Sequence, residues 1–252
     1  MKSQRELEGR VALVTGAAKN IGRTIALDLA SAGAGVIVTA LGNIEGARSV
    51  AAEVEAMGGK AHAALADVTL PDDIARLRGE VESRFGRLDI LVNNAAIRHE
   101  KSLDEMGYAD WRAVTSVILD GAFICVTAML PLLKASGQGA IINMGGMSAY
   151  TGAKNRVHVL AAKSGLAGLT RGFAHDLASS AITANLVSPG LIATQRGGSS
   201  HANPDHHRHN ATLTGERGAP QEVASMVRYL AGPHARYITG QTIHVNGGAF
   251  VP

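Results

Sequence analysis

Two stretches of this 252-residue chain carry side chains that could do chemistry. The first is Thr15-Gly16-Ala17-Ala18-Lys19-Asn20-Ile21-Gly22, between an apolar strand-like run and a helical pattern. Gly16 permits a tight turn and Gly22 lets a helix approach a sheet. The helix start then aims free N–H groups at a pyrophosphate. A glycine pattern is weak by itself, and the strand–turn–helix context strengthens it. The second stretch runs from Gly146 to Lys163 and includes Ser148, Tyr150, Asn155, Arg156, His158 and Lys163. Hydroxyl, guanidinium, imidazole and amine groups can hold an oxyanion or move a proton. Arg98 and His99 follow Asn93-Asn94-Ala95-Ala96, just past another strand-like run, where sites are commonly built.

The elements that must position these groups alternate in type. Strand-like runs are expected at Val11–Thr15, Gly35–Ala40, Lys60–Leu65, Leu88–Val92, Ala140–Met144, Ile182–Val187 and Thr242–Val245. Helical patterns fall between them at Asn20–Ser31, Glu45–Met57, Asp72–Phe85, about Asp104 to Ala135 with a break near Thr115, Val157–Ser180 and Gln221–Ala231. This βαβα order predicts one α/β, Rossmann-type, doubly wound domain over residues 1–252, with a parallel sheet covered by helices on both faces. The exception is Ile192–Glu216, which is polar, rich in Gly, Ser and His, and lacks period. It reads as a mobile substrate loop.

Apolar residues make up 46% of the chain with few aromatics, which suits strands buried on both faces. A net charge of +3 and the lack of dense Lys/Arg runs argue against nucleic-acid binding. Cys125, the single cysteine, excludes an internal disulfide and reads as a buried, inert thiol. The N-terminal residues lack a secretory apolar core, and no stretch is expected to span a membrane, so a cytoplasmic protein is expected. Trp111 reads as a packing anchor.

These landmarks resemble the short-chain dehydrogenase/reductase family from about Gly9 to Gly248. The resemblance rests on Thr15 to Gly22, Asp67-Val68, Asn93-Asn94-Ala95-Ala96, Lys163, Asn185 with Ser188-Pro189-Gly190, and Ile238-Thr239-Gly240-Gln241 with Val245-Asn246-Gly247-Gly248. It implies a seven-stranded parallel sheet, dinucleotide binding at its C-terminal edge, and a homodimer or homotetramer built on Ala113–Ala135 and the helix from Val157. The tail from Gly247 to Pro252 is apolar enough to reach a neighbouring subunit. By the same resemblance Asp67 and Val68 meet the adenine, Asn93 the adenosine side, and Pro189 and Gly190 lie under the nicotinamide. Gly16, Lys19, Asn20, Ile21, Gly22, Ala95, Lys163 and Ile192 complete the expected cofactor set. Asn93 and Asn94 could instead satisfy backbone groups after a strand.

The family places an acid at the end of the second strand for NAD, or a base for NADP. Here that position is Ala40, and Lys19 could touch a 2′-phosphate. The cofactor is therefore NADP or NAD, leaning to NADP.

The same resemblance implies a serine, a tyrosine and an asparagine acting with Lys163. Counted from Lys163 and from Leu119-Asp120-Gly121-Ala122-Phe123, these fall on Gly146, Val159 and Ile118. None of the three side chains moves a proton, so tyrosine-type acid catalysis is expected to be absent. Asn155 and Arg156 precede Val159 by four and three residues and would share its helix face. His158 would be turned about 100° away and reach the pocket only from an unwound helix start. Lys163, His158, Arg156, Tyr150, Ser148 and His99 are the candidate catalytic residues.

His201, His206, His207 and His209 crowd the polar loop. Their spacing matches no closed metal site, so no metal is expected, and a polar lid over an acidic substrate fits better. Three readings stay open: an NAD(P)-dependent oxidoreductase acting on a small polar or anionic molecule; a non-redox lyase, hydratase or isomerase using His and Arg; and a dinucleotide-binding protein without catalysis.

Overall fold

The apolar runs become seven parallel strands because each is walled on both faces by helices. The computed structural model describes residues 5–194 and 212–252. The strands are β1 (Val11–Val14), β2 (Gly35–Ala40), β3 (Ala61–Leu65), β4 (Ile90–Asn93), β5 (Ala140–Met144), β6 (Thr183–Pro189) and β7 (Thr242–Val245). They form one sheet in the order β3-β2-β1-β4-β5-β6-β7. All pairs are parallel, with Val14 opposite Val92 and Asn93 opposite Asn143. The order reverses between β1 and β4, which opens a crevice at their C-terminal ends. The doubly wound expectation holds.

The helices are α1 (Asn20–Ser31), α2 (Ile44–Ala56), α3 (Pro71–Phe85), α4 (Tyr108–Thr115), α5 (Gly121–Ala135), α6 (Ser148–Thr151), α7 (Val157–Leu177) and α8 (Pro220–Ala231). Residues of α1, α2 and α8 pack on one sheet face with Val14, Val36 and Ile142. Residues of α3, α5 and α7 pack on the other with Leu13, Ile37 and Ile141. A third, smaller cluster joins Val114, Ile118, Ala122, Val159, Ala162, Leu166 and Leu186.

Two expectations change here. The helix around Thr115 is not broken: one π-helical turn, Ser116–Asp120, joins α4 to α5, and Gly121 N–H donates to the Ser116 carbonyl. Thr115 and Ser116 hydroxyls donate back to the Trp111 and Arg112 carbonyls, a habit that disturbs helical geometry without ending it. Tyr108–Ala135 also forms 28 residues of helix long and apolar enough, by length and composition, to cross a membrane. Cys125, Val126, Met129 and Leu133 of this helix are buried in the protein core, while Phe123 is 51% exposed. Burial pushes the Cys125 thiol up to about 12, as an inert core thiol requires.

Candidate active site

The glycine turn is built by the end of β1 and held by the end of β4. The Thr15 hydroxyl accepts the Asn94 and Ala95 N–H groups, both at 3.0 Å. The Asn94 amide donates to the Thr15 carbonyl at 2.9 Å and the Gly16 carbonyl at 3.0 Å. Asn94 thus satisfies backbone groups, as its alternative reading allowed, and in doing so fixes the turn. Gly16 has φ +61°, and a Cβ there would stand 3.0 Å from Ala95 Cα. A Cβ on Gly22 would meet Asn94 Nδ2 at 2.5 Å and the Gly16 carbonyl at 2.8 Å. No side chain caps α1 at Lys19, which is exposed, and Asn20 adopts φ +52°. Ile21 and Gly22 are buried in the first turn.

Neighbouring strand ends add polar groups. Asn93 donates to Asn143 Oδ1 at 2.8 Å, and Asn143 donates to the Thr170 hydroxyl at 2.8 Å. Asn93 Oδ1 remains buried with no partner among the described residues. Asp67 Oδ1 accepts from the Thr69 N–H and hydroxyl. Val68 is buried against α5, so close that a Cβ on Gly121 would stand 2.8 Å from it. Ala40 ends β2, buried, and the Asn43 side chain accepts from Gly46 N–H at the start of α2. Pro189 accepts from Met147 N–H at 3.0 Å, Gly190 lies tight against Asn246, and Ile192 bridges to Gly218.

The residues fit a dinucleotide. A cradle closed to a Cβ, an uncapped helix start and an orphaned buried acceptor at Asn93 are what a pyrophosphate and an adenosine need.

Around Lys163 the structure gathers cations. The Lys163 ammonium is 8% exposed and donates to the Met144 carbonyl at the end of β5. Burial, then the Arg98 and Arg156 guanidiniums, push it down to about 7. Arg156 is buried, with Glu100 at 4.0 Å from its Nε. Val159 is 2% exposed and packs in the third cluster with Ile118. A Cβ on Gly146 would meet nothing within 4 Å.

The shared face expected of Asn155, Arg156 and Val159 does not form, because α7 starts only at Val157. Asn155 adopts φ +60° and accepts Lys101 N–H, while Arg156 caps the helix with φ −137°. His158 sits in a wound first turn, yet is 1% exposed with neither ring nitrogen bonded among the described residues. Burial holds its imidazole below the ordinary value; the Arg156 guanidinium and His99 add to this, and the Arg156 backbone and Asp110 oppose it. Tyr150 turns to the C-terminal tail, with its ring 4.7 Å from His244 and 5.5 Å from Phe250. Ser148 opens α6, and Arg98 and His99 are exposed. His201, His206, His207 and His209 lie outside the described residues, as does most of the proposed lid. Among the described residues no group of His, Cys, Asp and Glu is placed to hold a metal.

Sequence reasoning missed the Met144 carbonyl as the seat of Lys163 and Thr170 as the anchor of Asn143. The only signal for the second was Thr170 seven residues after Lys163 on the same helix.

A family model described as enoyl-(acyl carrier protein) reductase matches residues 16–249. The chain belongs to the short-chain dehydrogenase/reductase family and is an oxidoreductase of that type. Among its relatives is the 3-oxoacyl-(acyl-carrier-protein) reductase FabG of Staphylococcus aureus, 38% identical over 240 residues, covering 95% of this chain and 98% of the relative. A dehydrogenase/reductase from Sinorhizobium meliloti 1021 superposes with TM-score 0.92 at 35% identity, covering 99% and 98% of the two chains. A short chain dehydrogenase from Burkholderia cenocepacia J2315, solved with NADP, gives TM-score 0.89 at 34% identity, covering 97% and 99%.

Proposed function

We propose that this chain is a cytoplasmic, NAD(P)-dependent oxidoreductase with a non-standard proton donor. Its substrate is a small polar or anionic molecule bearing a C=O, C=N or conjugated C=C bond. The observation that carries this reading is one contrast. The dinucleotide cradle around Gly22 and Asn93 is closed and polar, whereas Val159 and Ile118 are buried together in aliphatic packing. The NADP held by the Burkholderia relative supports a lean to NADP, as does the lack of an acid at Ala40. The Staphylococcus relative's name points to carbonyl reduction.

Gly16, Lys19, Asn20, Ile21, Gly22, Asp67, Val68, Asn93, Ala95, Lys163, Pro189, Gly190 and Ile192 would hold the dinucleotide. When bound, the nicotinamide supplies the hydride. The chain's own residues orient and charge the site. Arg98 and Arg156 place positive charge beside Lys163, which favours an anionic substrate group or a developing oxyanion. The exposed Phe123 on α5 supports a homodimer or homotetramer through α5 and α7.

Titrating the protein separately with NADPH and NADH, then measuring oxidation of the bound form against oxo acids, cyclic imines and enones, tests the reading. Binding with turnover of one class is expected. Binding without turnover would point to a silent nucleotide-binding protein, and no binding of either form to a non-redox enzyme.

A further inference from the structure

We propose that Lys163 itself delivers the proton to the substrate atom, as the acid of this site; the inference rests on the oxidoreductase reading above. Three observations lead there. Lys163 Nζ is fixed by the Met144 carbonyl, two residues before Gly146, and the space a Gly146 side chain would fill is open. An ammonium has three donors, and only one is used there. One helical turn before Lys163, Val159 is buried in aliphatic packing and has no group to take or relay that proton.

The charged surroundings suit an acid. The guanidiniums of Arg98, in the loop after β4, and Arg156, at the start of α7, both oppose the charge of Lys163. No carboxylate among the described residues pairs with it. On neighbouring elements Asp110 takes Lys101, Asp120 takes Arg112, and Glu100 stands by Arg156. A buried ammonium opposed by the charge of two guanidiniums gives up its proton readily, and its value of about 7 matches neutral working conditions. His158 is the rival, but burial holds its imidazole below its ordinary value and neither ring nitrogen bonds a described residue.

The step balances. A reduced nicotinamide, oxidised as its own C–H bond breaks, would supply the hydride that forms the new C–H bond at the substrate carbon, and the π pair of the C=O, C=N or C=C bond would move to the far atom. That atom bonds the proton as the Nζ–H bond breaks. Lys163 is left as a neutral amine, and solvent water protonates it for the next turnover.

The test begins without cofactor. The chain has seven lysines, so 13Cε-lysine labelling gives seven NMR signals to follow against pH. One signal is expected to titrate near neutrality and to vanish in Lys163→Arg, while the others titrate near the ordinary value of about 10.4. If Lys163→Arg does not fold, Lys163→Met supplies the assignment. With a turned-over substrate, kcat for reduction should fall as pH rises above about 7. Lys163→Arg should lose roughly 10²–10⁴-fold in kcat, and the break should leave the neutral range. Seven signals titrating together at alkaline pH overturn the proposal. So does turnover in Lys163→Arg with an unchanged pH profile, which leaves the oxidoreductase reading standing. Failure of the unmodified chain to oxidise either reduced dinucleotide overturns that reading and the proposal with it.

Discussion

Val159 on α7 and Ile118 in the π-helical turn belong to one buried apolar cluster, closed by Val114, Ala162 and Leu186. Their aliphatic character is therefore built into the packing of α4, α7 and β6. Gly146 sits beside open space instead.

That difference predicts unequal tolerance. Val159→Tyr adds a ring to a filled cluster and should cost about 1–3 kcal/mol by overpacking. Gly146→Ser should change stability by no more than about 0.5 kcal/mol. Urea midpoints of the two variants decide it; equal midpoints would show that the cluster has slack.

Gly22→Ala forces a methyl into Asn94 Nδ2 and the Gly16 carbonyl. Destabilisation of about 1–3 kcal/mol is expected. NADPH affinity should also fall at least tenfold, because the turn and the helix start must move apart. Calorimetric titration alongside thermal unfolding separates the two effects, and an unchanged dissociation constant would remove the cradle from this site.

Ala40→Asp puts a carboxylate at the end of β2, where a 2′-phosphate would be repelled and a 2′-hydroxyl accepted. The ratio of NADPH to NADH affinity should drop by at least tenfold. A ratio that stays constant would mean that the 2′ position binds elsewhere.

Burial sets a pH dependence through His158. Its folded value lies below the ordinary 6.5, so the unfolded chain takes up the proton first. Stability is fully present above about pH 6.5 and is lost as pH falls through the folded value. His244, also held down by burial, acts in the same sense. Denaturation midpoints between about pH 8 and pH 5 should fall with acid, and His158→Leu should flatten part of that fall. A slope identical to the unmodified chain would place the effect elsewhere.

The layout was legible because period and burial agree. Asn20–Ser31, Gly35–Ala40, Ala140–Met144 and Thr242–Val245 occur with the bounds their apolar patterns suggest. The start of α7 at Val157 was legible, but the turn just before it was not. Nothing in Lys154-Asn155-Arg156 announces that Asn155 takes a left-handed conformation, which cancels the helical spacing from Arg156 to Val159. The ring contacts of Tyr150 were not legible for another reason: its partners His244 and Phe250 lie about ninety or more residues away and leave no local trace. The seat of Lys163 is a main-chain carbonyl, and carbonyls have no sequence signature.

The bonds from Asn94 and Ala95 to Thr15 and Gly16 have one more consequence. They spend the turn's freedom of motion during folding, so on the proposed reading an arriving anion would find its amides already aimed. Association at this edge would then lose little entropy on the protein side, and discrimination among incoming molecules would fall to groups elsewhere in the site.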